Sequence, residues 1–197
     1  MTTQDEVSLE SIANAARTKS FLGKEFLTWF WYQAEKTDQN QLELETRSGN
    51  LSLQIWVDDR LVLESHNSKV HMQTLRGGEP SQSLEAAASL QSGNSVKELR
   101  VGFYIRDFGE FTFALAGQNL DPRSIKLPEP PEELAATDGF SSLSYRLKST
   151  RIMLDALDAL FQKFLHERTE TQWNAKGLAD IKGWIANRYH QANELLH

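Results

Sequence analysis

Residues 21–35 read FLGKEFLTWFWYQAE, and this stretch decides the fold of the chain. Six of its fifteen residues are aromatic, and two of the five tryptophans of the chain are among them. Leu22, Phe26 and Phe30 recur at every fourth residue, which is the spacing of one helical face, and Trp31 belongs to a second apolar row. The pattern predicts a helix that is buried on two sides.

An exposed aromatic helix of this kind could instead serve as a platform on which nucleic-acid bases stack. Such platforms combine aromatic side chains with basic residues that bind phosphates, and Lys24 is the only basic residue in the stretch. Each aromatic side chain also carries roughly 150–250 Å² of surface that folding can bury. The prediction is therefore that this helix forms the core.

Length and composition indicate a globular protein of one domain, or of one domain with an appended helical part. The chain has 197 residues, of which 40% are hydrophobic and 24% charged, as is typical of a globular protein. The absence of cysteine excludes disulfides and thiolate metal sites, and it fits a cytoplasmic location. No apolar run approaches the roughly 20 residues that a membrane-spanning helix needs.

Alternation with a period of two begins after residue 40 and predicts five or six antiparallel strands. They are expected near 42–45, 51–57, 61–64, 70–75, 96–106 and 110–116. Asp58-Asp59-Arg60 and Asp107-Phe108-Gly109 are predicted to be turns between strands, and a helix at 80–92 interrupts the sheet.

Helical patterns flank the predicted sheet. Ser8 is a candidate N-cap for a short first helix, and two further helices are expected at 141–168 and 174–196. The longer of these has an apolar seam, which we interpret as the core face of a globular helix rather than a coiled coil. Its members are Leu147, Leu154, Leu157, Phe161 and Phe164, broadened by Leu143, Leu160 and Leu165.

The predicted fold class is α+β, in a single domain over residues 1–197. A helical segment at 1–36 leads into the sheet at 40–116. Residues 117–138 hold four of the five prolines, which predicts a connector without regular structure. The helical part at 139–197 completes the domain.

No catalytic constellation is visible in the sequence. The five histidines are scattered without the spacing of metal ligands, and no serine nucleophile motif occurs. The prediction is a non-enzyme with no catalytic residues, no metal site and no cofactor.

The charge is unevenly distributed. The whole chain has a net charge of −6, yet residues 139–197 hold 8 Lys/Arg and 6 Asp/Glu, a net charge of +2. Basic residues on the long predicted helix could follow DNA phosphates without reading the base sequence. These candidate DNA-binding residues are Arg146, Lys148, Arg151, Lys163 and Arg168. The alternative is a solvated helix face whose basic residues pair with Asp155 and Asp158.

Several segments, in order and spacing, resemble the C-terminal part of RdgC-type recombination-associated proteins, in a divergent branch. The resemblance covers roughly residues 21–187, and its clearest part is Phe21-Leu22-Gly23-Lys24-Glu25-Phe26-Leu27-Thr28-Trp29. The other parts are Asp59-Arg60-Leu61-Val62-Leu63, 84–116, Ile125-Lys126-Leu127-Pro128 and 154–173.

The resemblance implies a cytoplasmic, nucleoid-associated protein that binds DNA without sequence preference and restrains RecA-promoted strand exchange as a dimeric ring. RdgC-type proteins also have an extended N-terminal half that these 197 residues lack. The expected partners are therefore a protein that supplies the missing half, or a second copy of the chain in a homodimer. The alternative hypothesis is a protein-interaction module that keeps the core and binds another protein, not DNA, through its acidic body or final helix.

Overall fold

The computed structural model describes residues 21–36, 41–47, 49–65, 72–132 and 139–194. The predicted helix after Ser8, the beginning of the strand at 70–75 and the final residues of the chain lie outside these ranges. The α-helices are α1 (Phe21–Lys36), α2 (Leu84–Gln91), α3 (Gly139–Thr169) and α4 (Leu178–Glu194). The strands are β1 (Gln41–Thr46), β2 (Gly49–Glu64), β3 (Met72–Arg76), β4 (Ser95–Ile105), β5 (Gly109–Ala116) and β6 (Pro122–Lys126).

The six described strands form one antiparallel sheet, in which five have the order β1-β2-β4-β5-β6 and β3 pairs with β2. Strand β2 is long enough for β1 and β3 to pair with it one after the other, β1 opposite 49–54 and β3 opposite 60–64. Strand β4 pairs with β2 and β5. The predicted α+β class, with helices before, within and after an antiparallel meander, is confirmed.

The aromatic helix α1 lies in the middle of the molecule, as predicted. Its residues Phe26, Trp29 and Phe30 are at most 1% exposed. Phe30 meets Phe103 of the sheet at a ring distance of 6.1 Å, while Phe26 meets Phe164 of α3 at 5.6 Å on the other side. The helix is therefore covered by the sheet on one side and by the C-terminal helices on the other.

The predicted turn at Asp58-Asp59-Arg60 is wrong, because β2 continues through it. Opposite β4, the register shifts between Val57 and Leu61, so the polar residues form a bulge in the strand. Arg100 of β4 binds Asp58 at 3.0 Å and Asp59 at 3.5 Å. Because Arg100 of the neighbouring strand pairs with both carboxylates, these polar residues lie within a strand and not at a turn.

The predicted absence of regular structure in 117–138 is also wrong in part. Residues 122–126 form strand β6, which pairs with β5 from Leu115↔Pro122 to Thr112↔Lys126. Proline is tolerated here because it is the first residue of a strand at the edge of the sheet, where its missing N–H leaves no ladder bond unmade. Residues 133–138 lie outside the described ranges.

The last two helices follow the prediction in position but differ in detail. A single π-helical turn at Trp173–Gly177 precedes α4, so the regular helix begins at Leu178 instead of Asn174. The buried residues of α3 only partly match the predicted seam, because Leu157, Leu160 and Phe164 are buried while Leu143, Leu147 and Leu154 are exposed. The actual core face adds Ser149, Met153 and Ala156.

Candidate functional site

The most unusual surface of the described structure is a row of large apolar side chains along the first half of α3, here called the apolar row. It consists of Phe140, Leu143, Leu147 and Leu154, which are 76%, 55%, 64% and 43% exposed. Four of the seven exposed large hydrophobic residues that the structure describes lie in it. At 1.5 Å per helical residue, the row is roughly 21 Å long. Several exposed large apolar side chains on one side of a helix are typical of a binding site, whereas single exposed leucines are not.

The apolar row is exposed because the first half of α3 packs on the molecule with a different face. Tyr145 donates a hydrogen bond to the carbonyl oxygen of Phe108 at 3.1 Å, and the two rings stack at 6.5 Å. Ser149 and Met153 are fully buried. These contacts attach the helix to the β4–β5 turn and leave the apolar row pointing to solvent.

A groove continues the apolar row toward the body of the protein. It has a volume of about 970 Å³ and lies between the beginning of α1, the turn after β5 and the middle of α3. Leu22, Leu120, Leu154 and Phe161 contribute its apolar lining. Leu154 therefore belongs both to the apolar row and to the groove.

Two close contacts give the groove its shape. At Gly23, a Cβ atom would lie 2.1 Å from the carbonyl oxygen of Gly117, so α1 can approach the β5–β6 turn only without a side chain there. Leu120, in the same turn, has a φ of 56°, a left-handed conformation that costs roughly 1–2 kcal/mol for an L-residue. The groove wall is thus a tightly constrained turn.

The five basic residues predicted to bind DNA do not form one strip. Lys163 pairs with Glu167 at 3.5 Å, and Arg168 pairs with Glu25 of α1 at 2.6 Å. Lys163 therefore pairs within α3, whereas Arg168 ties α3 to α1, and both side chains are only partly exposed.

The other three predicted DNA-binding residues are exposed on the first half of α3. Lys148 lies over the ring of Phe108 at 5.6 Å. Arg146 and Lys148 are two residues apart, which places them roughly 200° apart around the helix axis, while Arg151 is nearer to Lys148. The expected pairing with Asp158 is also not the one seen, since Asp158 binds Arg47 at 3.4 Å.

A polar cluster that was not predicted from the sequence lies between α1 and α4. The Glu35 carboxylate accepts hydrogen bonds from the indole N–H of Trp31 at 2.6 Å and from that of Trp184 at 3.3 Å. It also forms an ion pair with Arg188, and both side chains are little exposed. No motif marks this cluster, because its members come from helices about 150 residues apart in the chain.

Arg188 extends the same cluster. Its guanidinium lies 5.7 Å from the rings of both Trp31 and Trp184, and it donates a hydrogen bond to the carbonyl oxygen of Ser81. Burial lowers the pKa of Arg188 to about 10, which still leaves it protonated at neutral pH. The cluster therefore ties α4 to α1 and to the 3-10 turn at Pro80–Gln82.

The described part of the chain has no group of three or more side chains arranged to hold a metal ion. Among the described helices, none is long and apolar enough to cross a membrane. Comparison of the chain with protein-family models, curated proteins and solved structures finds no match. The resemblance to RdgC-type proteins therefore stays a prediction from the sequence.

Proposed function

We propose that this chain is a non-enzymatic protein-interaction module that binds another protein through the apolar row of α3. The observation that carries the proposal is the exposure of four large apolar side chains on one side of a helix whose remaining apolar side chains are buried or half-buried. Exposing them to water costs free energy that burial against a partner would recover, at about 25 cal/mol per Å².

The groove supports the same proposal. Because Leu154 lines it together with Leu22 and Phe161, a partner that covers the apolar row can also place side chains in a concave site with a partly apolar lining. Amphipathic helices commonly dock in this way, with anchors three, four and seven residues apart. We place the interaction in the cytoplasm, a proposal that the absence of cysteine supports.

Affinity capture from a lysate of the native cells tests the proposal. The tagged full-length chain is compared with the Leu147→Glu variant, which puts a charge in the middle of the apolar row. Met72→Glu is the matched control, because Met72 is exposed to a similar extent on strand β3. The expected result is a protein retained by the wild type and the control and depleted at least about tenfold by Leu147→Glu. Equal recovery by all three chains would refute the proposal.

Sequence-independent association with DNA is a second proposal. It is favoured by the charge of residues 139–154, which include three basic residues and no acidic one, and by the exposure of all three. In that case the resemblance to RdgC-type proteins implies a nucleoid-associated protein that modulates RecA-promoted recombination, as a homodimer or with a partner for the missing half.

A band-shift assay with single- and double-stranded DNA at about 50 mM salt, where phosphate contacts are strongest, tests this second proposal. The expected result is a shift that weakens steeply at higher salt. The triple variant with glutamate at Arg146, Lys148 and Arg151 is expected to abolish it. Absence of a shift with the wild type at low salt would exclude DNA as the ligand.

A further inference from the structure

The apolar row has the spacing of a coiled-coil seam. Phe140, Leu147 and Leu154 are seven residues apart, and Leu143 lies at the intermediate position after Phe140. In the heptad notation abcdefg, the first three are a residues and Leu143 is a d residue, while the next d position is the half-buried Thr150. In the second half of α3 the d residues Leu157 and Phe164 are buried in the core, so the seam is open only over its first half.

The open part of the seam has basic flanks. Arg146 occupies the g position and Arg151 the e position, the two positions whose charges select a partner helix. Both side chains are exposed, and residues 139–154 contain no aspartate or glutamate. The flanks therefore complement negative charge in a partner, although the chain as a whole has a net charge of −6.

We infer that the partner of the apolar row is an acidic amphipathic helix, with aliphatic residues at its a and d positions and aspartate or glutamate at its e and g positions. The inference rests on the proposed function and adds the chemistry of the partner to it. The partner helix lies along α3 from Phe140 to Leu154, and its acidic residues are confined to this part, because Asp121 and Asp158 line the groove beyond it.

A second copy of this chain fits the seam less well than an acidic helix does. In a parallel pair of helices, a g residue faces the e residue five positions further along the partner, which sets Arg146 against Arg151 of the other copy. In the antiparallel alignment that stacks Leu143 on Leu147, Arg146 faces its own counterpart. Both arrangements place like charges together, which opposes pairing.

Two synthetic 21-residue peptides test the inference by fluorescence anisotropy with the full-length chain. Both have leucine at a and d; one has glutamate at e and g, and the other has lysine there. The glutamate peptide is expected to bind at least about tenfold more tightly at 50 mM salt, and the difference is expected to shrink at 500 mM salt. The double variant Arg146→Glu, Arg151→Glu is expected to reverse the preference.

A variant in the apolar row and a matched control distinguish the contribution of the apolar side chains to peptide binding from that of the basic flanks. Leu147→Glu is expected to lower the affinity for the glutamate peptide at least about tenfold, while Met72→Glu leaves it unchanged. Circular dichroism checks that each variant is folded. Equal binding of the two peptides, or no binding of either, would overturn the inference. If Leu147-dependent capture from a lysate persists nonetheless, the proposed function stands and only the acidic chemistry fails.

Three further results would also overturn the inference by identifying another occupant. A dimer in light scattering that Leu147→Glu dissociates would identify a second copy. A gain of about tenfold in peptide affinity from Leu9→Glu with Ile12→Glu would identify residues 1–20 of the same chain as the segment that competes for the seam. Displacement of the peptide by a 20-base-pair DNA duplex, with duplex binding unchanged by Leu147→Glu, would identify DNA.

Discussion

Helix α1 and the first half of α3 both have rows of large apolar side chains, yet only α1 is covered. The sheet lies on one side of α1 and the C-terminal helices on the other, and its Phe30 is fully buried. In the first half of α3, the face that contacts the body contains Ser149 and Met153, and the apolar row points away from it. The contrast shows that a helical row of large apolar side chains is buried only where other elements of the fold reach it.

The largest difference in stability is expected between a phenylalanine truncated in α1 and a phenylalanine truncated in α3. Phe30→Ala removes a ring from the core and is expected to lower the free energy of unfolding by about 4 kcal/mol. Phe140→Ala, in the apolar row, is expected to change it by less than about 0.5 kcal/mol. Urea unfolding of both variants measures the difference. A comparable loss for Phe140→Ala would mean that the apolar row contributes to folding.

The cluster at Glu35 is expected to give the next largest effect, because it holds α4 against α1. Arg188→Met leaves the Glu35 carboxylate buried without its cation and is expected to cost about 3 kcal/mol. Adding Glu35→Gln removes the uncompensated charge and is expected to recover most of that loss. Urea unfolding of the single and double variants completes the cycle. Additive losses would show that the two residues do not interact.

Two glycine-to-alanine substitutions compare the stability effect of a new Cβ atom that meets neighbouring atoms with that of one that meets none. Gly23→Ala forces a Cβ atom against the Gly117 carbonyl and is expected to destabilise the protein by about 2 kcal/mol, despite the better helix propensity of alanine. Gly183→Ala in α4 has no atom within 4 Å of the new Cβ and is expected to stabilise it by up to about 1 kcal/mol. Thermal unfolding measures both changes, and an equal effect at the two sites would contradict the close approach of α1 to the turn.

The smallest difference in stability is expected between removal of an arginine from the second half of α3 and removal of one from the first half. Arg168 in the second half pairs with Glu25 of α1, so Arg168→Met is expected to cost about 0.5 kcal/mol at low salt and less at 0.5 M salt. Arg151→Met in the exposed first half is expected to leave stability unchanged. Urea unfolding at both salt concentrations compares them. A larger loss for Arg151→Met would assign a structural role to the basic flank of the apolar row.

The features predicted correctly from the sequence are those set by local patterns. Alternation of apolar and polar residues predicted the β4–β5 hairpin, and Asp107 at its turn does adopt a left-handed φ of 71°. The density of aromatic residues in α1 predicted the core. Both signals come from neighbouring residues, so they do not depend on what lies elsewhere in the chain.

The errors have a common physical cause, which is a contact with another element of the fold that the local pattern does not show. Asp58 and Asp59 are paired by Arg100, so a sequence typical of a turn continues as a strand. Pro122 begins an edge strand because β5 is available beside it. The DNA-binding residues predicted on α3 remain a prediction, although ion pairs with Glu167 and Glu25 already occupy Lys163 and Arg168.

The sequence by itself determined the α+β class, the central role of α1 and the periodicity of the apolar seam on α3. Only the tertiary structure decided which part of that seam is buried and how Glu35 and Arg188 come together. The spacing of apolar residues specifies the face of a helix, but burial depends on the packing of elements far apart in the chain. Leu157 is therefore in the core, while Leu147, ten residues earlier on the same predicted seam, is exposed.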